Sequence, residues 1–394
     1  MATQEQDGRI GLRTGALPCE WYVEERVLEA ELERIFERTW QCVGLIERLA
    51  APGDYITGQV GRIPVVVVRD FDDRLRGFVN VCLHRCSVIA SGAGNVTKLQ
   101  CPYHAWTYDL DGRLIAAPRF KDEPGFEFAD FRLSELQVDR LGPFVMVNAD
   151  PAALSLPEQL DGLEERMRED GLNFDGLMHA GHWENEQEAN WKILVENYNE
   201  CYHCPVAHPQ FSQLLAVDPD HYRLETARWT SRAVTPLRPG GAESIDGYPD
   251  GENSVGQYAL LWPAFTLSQS PGPRRVVACW FEPINAHRTR MVCETFVDPT
   301  IAPEAIEIHG AQHRDGREAR EGVVLELGRR ERHHRERHQG PQRHEEPGPI
   351  LALGGVDGHL GQRAREESAP GEHPVAELLE IVGEGRVRAR GVDT

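Results

Sequence analysis

The chain has 394 residues, 40% apolar, 27% charged and 8% aromatic, a globular composition at a length that suits two or three domains. Collagen, coiled coil and global disorder are excluded. A formal net charge of −21 with no basic stripe makes nucleic acid and anionic membrane poor partners, and a soluble acidic enzyme fits better. No apolar run reaches the roughly 18 residues of a membrane span, and the first residues, MATQEQDGRIGLRTG, hold no apolar signal segment. No membrane association and a cytoplasmic location are expected, with reduced thiols. Nine cysteines, at 19, 42, 82, 86, 101, 201, 204, 279 and 293, favour metal ligation or packing over a disulfide framework.

In chain order, residues 24–39 (EERVLEAELERIFERT) set Val27, Leu28, Leu32 and Ile35 at helical spacing, which predicts a surface helix. From Trp40 the period changes. Pro64–Arg69, Gly77–Cys82 and Pro143–Asn148 are short, β-branched and bounded by Gly, Pro or Asp, which predicts a small all-β domain over about 40–150. Asp111-Gly112 predicts a hairpin turn. Residues 151–187 read as an acidic, partly helical approach to a second domain. A helix over 189–204 and strand-like runs over 222–300 then give a helix packed on an antiparallel sheet, so the whole is α+β.

Composition breaks after Phe296. All 30 aromatic residues lie at or before it, and the remaining 98 residues hold no Cys, Lys or Asn. From His309 onward, 86 residues contain 8 of the 16 His and 14 of the 37 Gly, with too few large apolar side chains to offset the cost of ordering.

Two constellations carry chemistry. Cys82-Leu83-His84 and Cys101-Pro102-Tyr103-His104, with 16 residues between them, each offer one thiolate and one imidazole. Tetrahedral zinc accepts such a set, although its modules usually pair the two cysteines and the two histidines by themselves. A [2Fe–2S] cluster in which two His replace two Cys on one iron needs these ligand types brought together from two loops. Gly92 and Gly94 let the chain turn between the loops, Pro102 stiffens the second, and Tyr103 and Trp106 are candidates to shield the site.

The second constellation is Asn190 to Pro209, NWKILVENYNECYHCPVAHP. On a helix Glu196, Glu200 and His203 share a face, and Pro205 stops the helix so that His208 folds back toward His203. Two imidazoles facing one point, with a carboxylate still to come, match the facial triad of Fe(II) oxygenases.

The string CLHRCSVIASGAGNVTKLQCPYHAWTYDLDGRL resembles the cluster motif of the Rieske non-haem iron ring-hydroxylating oxygenases, large (α) subunit, and 190–208 resembles their iron motif. The resemblance runs from about 20 to 307. It implies a [2Fe–2S] cluster on Cys82, His84, Cys101 and His104, mononuclear Fe(II) on His203 and His208, and Glu200 bridging the Rieske His of one subunit to the iron site of its neighbour. It further implies a helical segment over 1–39, a Rieske domain over 40–150, and over 151–308 a helix-grip (START-like) catalytic domain with an antiparallel sheet. A homotrimer and an NAD(P)H-dependent reductase as electron donor are implied too, with O2 and a small molecule as substrates. Cys86 stands where many relatives carry Gly and is read as packing. The run ENYNECYHCPVAHP looks most like members acting on carnitine- or choline-type quaternary ammonium compounds. Tyr258, Trp262, Phe265 and Trp280 are read as pocket aromatics, a cation–π cage or an aromatic slot.

The family completes its iron site with an Asp downstream of the His pair. Asp315 is the only Asp near the expected place, in a stretch broken by Gly310, Gly316, Gly322 and Gly328. Residues 309–394 are therefore read as out-of-frame translation after a shift near codon 308, or as a divergent tail whose His333, His334 and His338 bind metal weakly. The alternative to an oxygenase is an electron-transfer or binding protein with an incomplete iron site.

Overall fold

The computed structural model describes residues 17–120, 123–243 and 253–300; Asp315 and the 309–394 tail lie outside them. A strand must cover both its faces to be wholly apolar, and Ile63–Arg69 shows how this sequence does it. Val66 and Val68 join one core with Phe78, Trp106 and Tyr108, while Val65 and Val67 join another with Ile56, Val145 and Val147. The strand lies inside a seven-stranded antiparallel sheet of spatial order Gln41–Leu45, Phe144–Asn148, Glu135–Leu141, Leu75–Val79, Ile63–Arg69, Asp54–Val60, Ala93–Asn95. A three-stranded sheet, Leu99–Gln100, Thr107–Tyr108 and Leu114–Ala116, stands beside it. The Asp-Gly turn forms as the sequence predicts. Gly112 has φ +89°, and a Cβ there would meet the Phe78 ring at 2.6 Å, so no other residue fits.

The second sheet is a seven-stranded antiparallel sheet of order Met178–Gln187, Arg288–Val297, Arg275–Asn285, Phe265–Gln269, Val255–Leu261, Thr230–Pro236, Arg223–Thr226. Its two faces carry different loads. One packs on the first sheet, where Phe144 meets Phe265 at 5.0 Å and Phe296 at 5.7 Å between ring centroids. The other takes the helices α1 (Glu25–Arg34) and α4 (Trp191–Asn199), with Leu28, Trp191, Val195, Leu260 and Phe281 in one cluster. Between the sheets in sequence lie α2 (Leu156–Leu160) and α3 (Leu163–Glu169). After α4 come two short helices, α5 (Cys204–Ala207) and α6 (Pro209–Leu214). No helix among the described residues is long and apolar enough to cross a membrane.

Helix α4 is fastened at its start by three consecutive residues. The Asn190 side chain accepts the Lys192 N–H at 3.1 Å, capping the helix, and donates to the Ala286 carbonyl at 2.8 Å. Trp191 Nε1 donates to Glu31 on α1 at 2.9 Å, and Lys192 Nζ reaches both Glu31 carboxylate oxygens at 2.8 Å. Both ion-pair partners are buried.

Two expectations are corrected. The helix predicted over 189–204 ends at Asn199, because Glu200 is already extended (φ −133°, ψ 157°) and its carboxylate takes the N–H groups of Tyr202 and His203 that a continuing helix would use. The cysteines are not all reduced: Cys201–Cys204 and Cys279–Cys293 are disulfides. The second pair was hidden by sequence separation, since Cys279 and Cys293 become directly opposed only when their strands pair.

Removing one partner of a buried ion pair leaves the other unpaired, so Glu31→Ala is expected to destabilise the protein by about 3 kcal/mol, whereas Glu31→Leu with Lys192→Met recovers all but the roughly 1–2 kcal/mol left by the Trp191 indole N–H losing its acceptor. Chemical denaturation of the variants checks this.

Candidate metal centres

The cluster loops are built alike. Cys82 N–H donates to the Ser87 carbonyl and Cys86 N–H back to that of Cys82, at 2.8 and 2.9 Å. Cys101 N–H donates to Trp106 and Ala105 N–H to Cys101, at 2.8 and 3.1 Å. In both loops the fourth residue after the cysteine is left-handed, Cys86 at φ +53° and Ala105 at φ +58°, a backbone conformation that favours Gly. This equivalence sets the donors in pairs. The Cys82 and Cys101 thiols are buried, neighbouring and not joined to each other. The His84 and His104 rings stand with centroids 4.7 Å apart.

Around them, Trp106 stacks on His84 at 5.0 Å, and Phe120 and Phe126 close on Trp106. Trp106 is 3% exposed and covers the His84 ring, while Tyr103, 62% exposed, covers only the His104 ring. The Tyr108 hydroxyl lies 3.4 Å from Cys82 Sγ and accepts the Leu83 N–H.

These residues fit a [2Fe–2S] cluster. Burial pushes the Cys82 thiol above its ordinary range, with Tyr108 opposing, so its thiolate is favoured only when a cation sits beside it. Burial, and the neighbouring His104, push His84 below the usual range, keeping it neutral, the form that ligates. The Trp106 indole N–H is buried with no acceptor among the described residues, a donor that a seated group satisfies. No three His, Cys, Asp or Glu side chains converge on one point among the described residues.

At the end of α4, Tyr198 Oη donates to the Leu267 carbonyl at 2.8 Å and Ser231 Oγ donates to Asn199 Oδ1 at 2.7 Å, pinning the helix to the sheet. Glu200 Oε1 then bonds His203 Nδ1 at 2.5 Å, which leaves His203 Nε2 as the nitrogen with a lone pair to offer. The His203 and His208 rings meet at 5.1 Å with planes at 81°. Their approach has a different cause from the one predicted. Pro205 sits in the first turn of α5, where proline is tolerated, and the chain breaks instead at His208 (φ −131°, ψ 67°), the residue before Pro209. Glu196 is not part of the group; it accepts from Tyr22 Oη at 2.6 Å.

The four pocket aromatics are divided by the sheet. Phe265 and Trp280 face the first domain and Phe144, so they are core and not pocket, because alternate residues of paired strands point to opposite faces. Trp262 packs on Trp191 at 5.8 Å. Tyr258 packs on Phe211 of α6, ring to ring at 5.6 Å. Phe211, three residues after His208, was missed; only its place after the His-Pro break marks it.

The pattern of the Rieske [2Fe-2S] domain matches residues 39–131, and that of the ring hydroxylating alpha subunit (catalytic domain) matches residues 174–325, beyond the point at 307 where the resemblance read from the sequence ends. The chain is 34% identical over 277 residues to the carnitine monooxygenase oxygenase subunit of Acinetobacter baumannii, covering 69% of this chain and 73% of the relative. It is 31% identical to the chloroplastic choline monooxygenase of Spinacia oleracea, covering 78% and 69%. A solved quaternary ammonium Rieske monooxygenase, CntA, superposes with a TM-score of 0.70 at 29% identity, over 79% of this chain and 84% of that one. The chain belongs to the Rieske non-haem iron ring-hydroxylating oxygenases, as a terminal oxygenase α subunit whose cofactors are a [2Fe–2S] cluster and a mononuclear iron.

Proposed function

We propose that this oxygenase acts on a quaternary ammonium compound, with Cys82 and Cys101 holding one cluster iron, His84 and His104 the other, and His203 and His208 the mononuclear iron. The observation that carries the iron assignment is the imidazole pair with Glu200 on His203 Nδ1. The family resemblance calls for a third, carboxylate ligand, for which Asp315, outside the described residues, is the candidate. The cluster supplies one-electron transfer and the iron O2 activation.

The chain's own residues do the rest. Glu200 fixes the His203 ring and tautomer, and α4, pinned at both ends, holds that ring in place. Trp106 keeps water from the His84 side, whereas His104 is exposed at the surface. An exposed His104 and a half-exposed Glu200 that does not touch the cluster loops among the described residues support electron transfer between subunits of a homotrimer, fed by a separate NAD(P)H-dependent reductase in the cytoplasm. Tyr258 and Phe211, half-buried and packed on each other, with Phe211 three residues after His208, offer ring faces to a trimethylammonium group. Relatives named for carnitine, choline and glycine betaine support that substrate class.

His203→Ala and His208→Ala are expected to lose one iron per chain with acid-labile sulfide unchanged; a wild-type chain already lacking that iron is instead an electron-transfer protein. Tyr258→Leu raises KM for the trimethylammonium substrate about tenfold, the equivalent of about 1.4 kcal/mol of cation–π contact, at unchanged iron content. Turnover of aromatic carboxylates but of no trimethylammonium compound overturns the substrate reading. Tyr108→Phe removes a hydrogen bond to a cluster sulfur and lowers the reduction potential, read by redox titration of the cluster's absorption.

A further inference from the structure

The Cys201–Cys204 disulfide brackets His203. Cys204 is buried, but Cys201 is only half-buried and its neighbour Tyr202 is 97% exposed, so a thiol reaches the bond from the Cys201 side. The other disulfide is an internal contrast. Cys279 and Cys293 face each other across paired strands, and Cys293 is 0% exposed in the core under α1 and α4. Cys279 is half-buried like Cys201, but it sits mid-strand in a paired sheet against the core under α1 and α4, whereas Cys201 sits in an irregular loop beside exposed Tyr202; exchange requires access to a sulfur, and this placement separates the two pairs.

The bond also bears on both histidines. Glu200 holds the backbone N–H groups of Tyr202 and His203, and Cys204 opens α5, the single turn that ends at His208. The disulfide therefore closes the turn between the two rings. Cys204 Sγ lies 4.0 Å from His203 Nε2.

We propose that Cys201–Cys204 is an exchangeable redox pair that sets how tightly His203 and His208 hold iron, an inference resting on the assignment of those two residues as ligands. In reduction, one thiolate of a dithiol attacks the Cys201 sulfur, the S–S bond breaks and a mixed disulfide forms; the second thiol then releases Cys201. The reductant ends as a disulfide and the chain as two thiols, having gained two electrons and two protons. Hydrogen peroxide reverses this: it takes the same two electrons and two protons, becomes two waters, and leaves the disulfide. Reduction frees the turn that sets the two rings against each other, so iron is held less well. In a reducing cytoplasm an accessible disulfide cycles and does not persist as a structural tie.

The full-length protein is titrated with dithiothreitol, alkylated and mapped by peptide mass spectrometry, and Fe(II) binding at the mononuclear site is measured anaerobically before and after reduction. Cys201 and Cys204 are expected to label at least about tenfold earlier in reductant than Cys279 and Cys293, with Fe(II) affinity falling about tenfold, the scale of losing a group that orients a ligand. Cys201→Ser with Cys204→Ser is expected to match the reduced protein and to ignore dithiothreitol, its Rieske electron paramagnetic resonance signal showing that it is folded. Equal labelling of the two pairs, or unchanged affinity on reduction, overturns the proposal. Failure to bind that iron in either state overturns the ligand assignment and the proposal together, and is distinguished by labelling that still separates the two pairs.

Discussion

The iron-site turn hangs from the far end of α4, and α4 is held by a buried carboxylate on a different helix. Glu31 receives the Trp191 indole N–H and the Lys192 ammonium, while Asn190 caps the helix and ties it to Ala286. Each of these groups carries a desolvation cost that only its partners offset. The arrangement therefore tolerates little play, and Glu31 of α1 helps fix where the turn bearing His203 and His208 begins.

The same economy appears at the cluster. Its loops present buried thiols on one side and imidazoles on the other, and the wall of Trp106, Phe120 and Phe126 that excludes water also depresses the His84 pKa. One hydrophobic core thus sets both ligand chemistry and solvent access. The two centres share a chain because Phe144 of the first sheet is embedded among Phe265, Trp280 and Phe296 of the second, which makes the domains one packed body.

Much of the chemistry was legible residue by residue. Cys-x-His and Cys-x2-His loops are rare combinations of scarce residue types, and the Asp-Gly turn forms from local backbone preference alone. The course of the chain after Asn199 was less legible. Two signals competed there, the helical spacing of Glu196, Glu200 and His203 and the capping tendency of a carboxylate beside free N–H groups, and the second prevailed. Likewise Pro205 and Pro209 look equivalent in sequence, but only Pro209 follows a residue driven out of helical geometry.

By itself the sequence determined which atoms are offered to metal, since ligand type and loop spacing are properties of the chain. Tertiary structure alone decided which neighbours those atoms have. It placed Phe265 and Trp280 on the far face of the sheet, gave Tyr258 the company of Phe211, and brought Cys279 against Cys293 across two strands. The physical reason is that a strand's side chains alternate between faces, and which face meets a helix and which meets another sheet is fixed only when the layers pack.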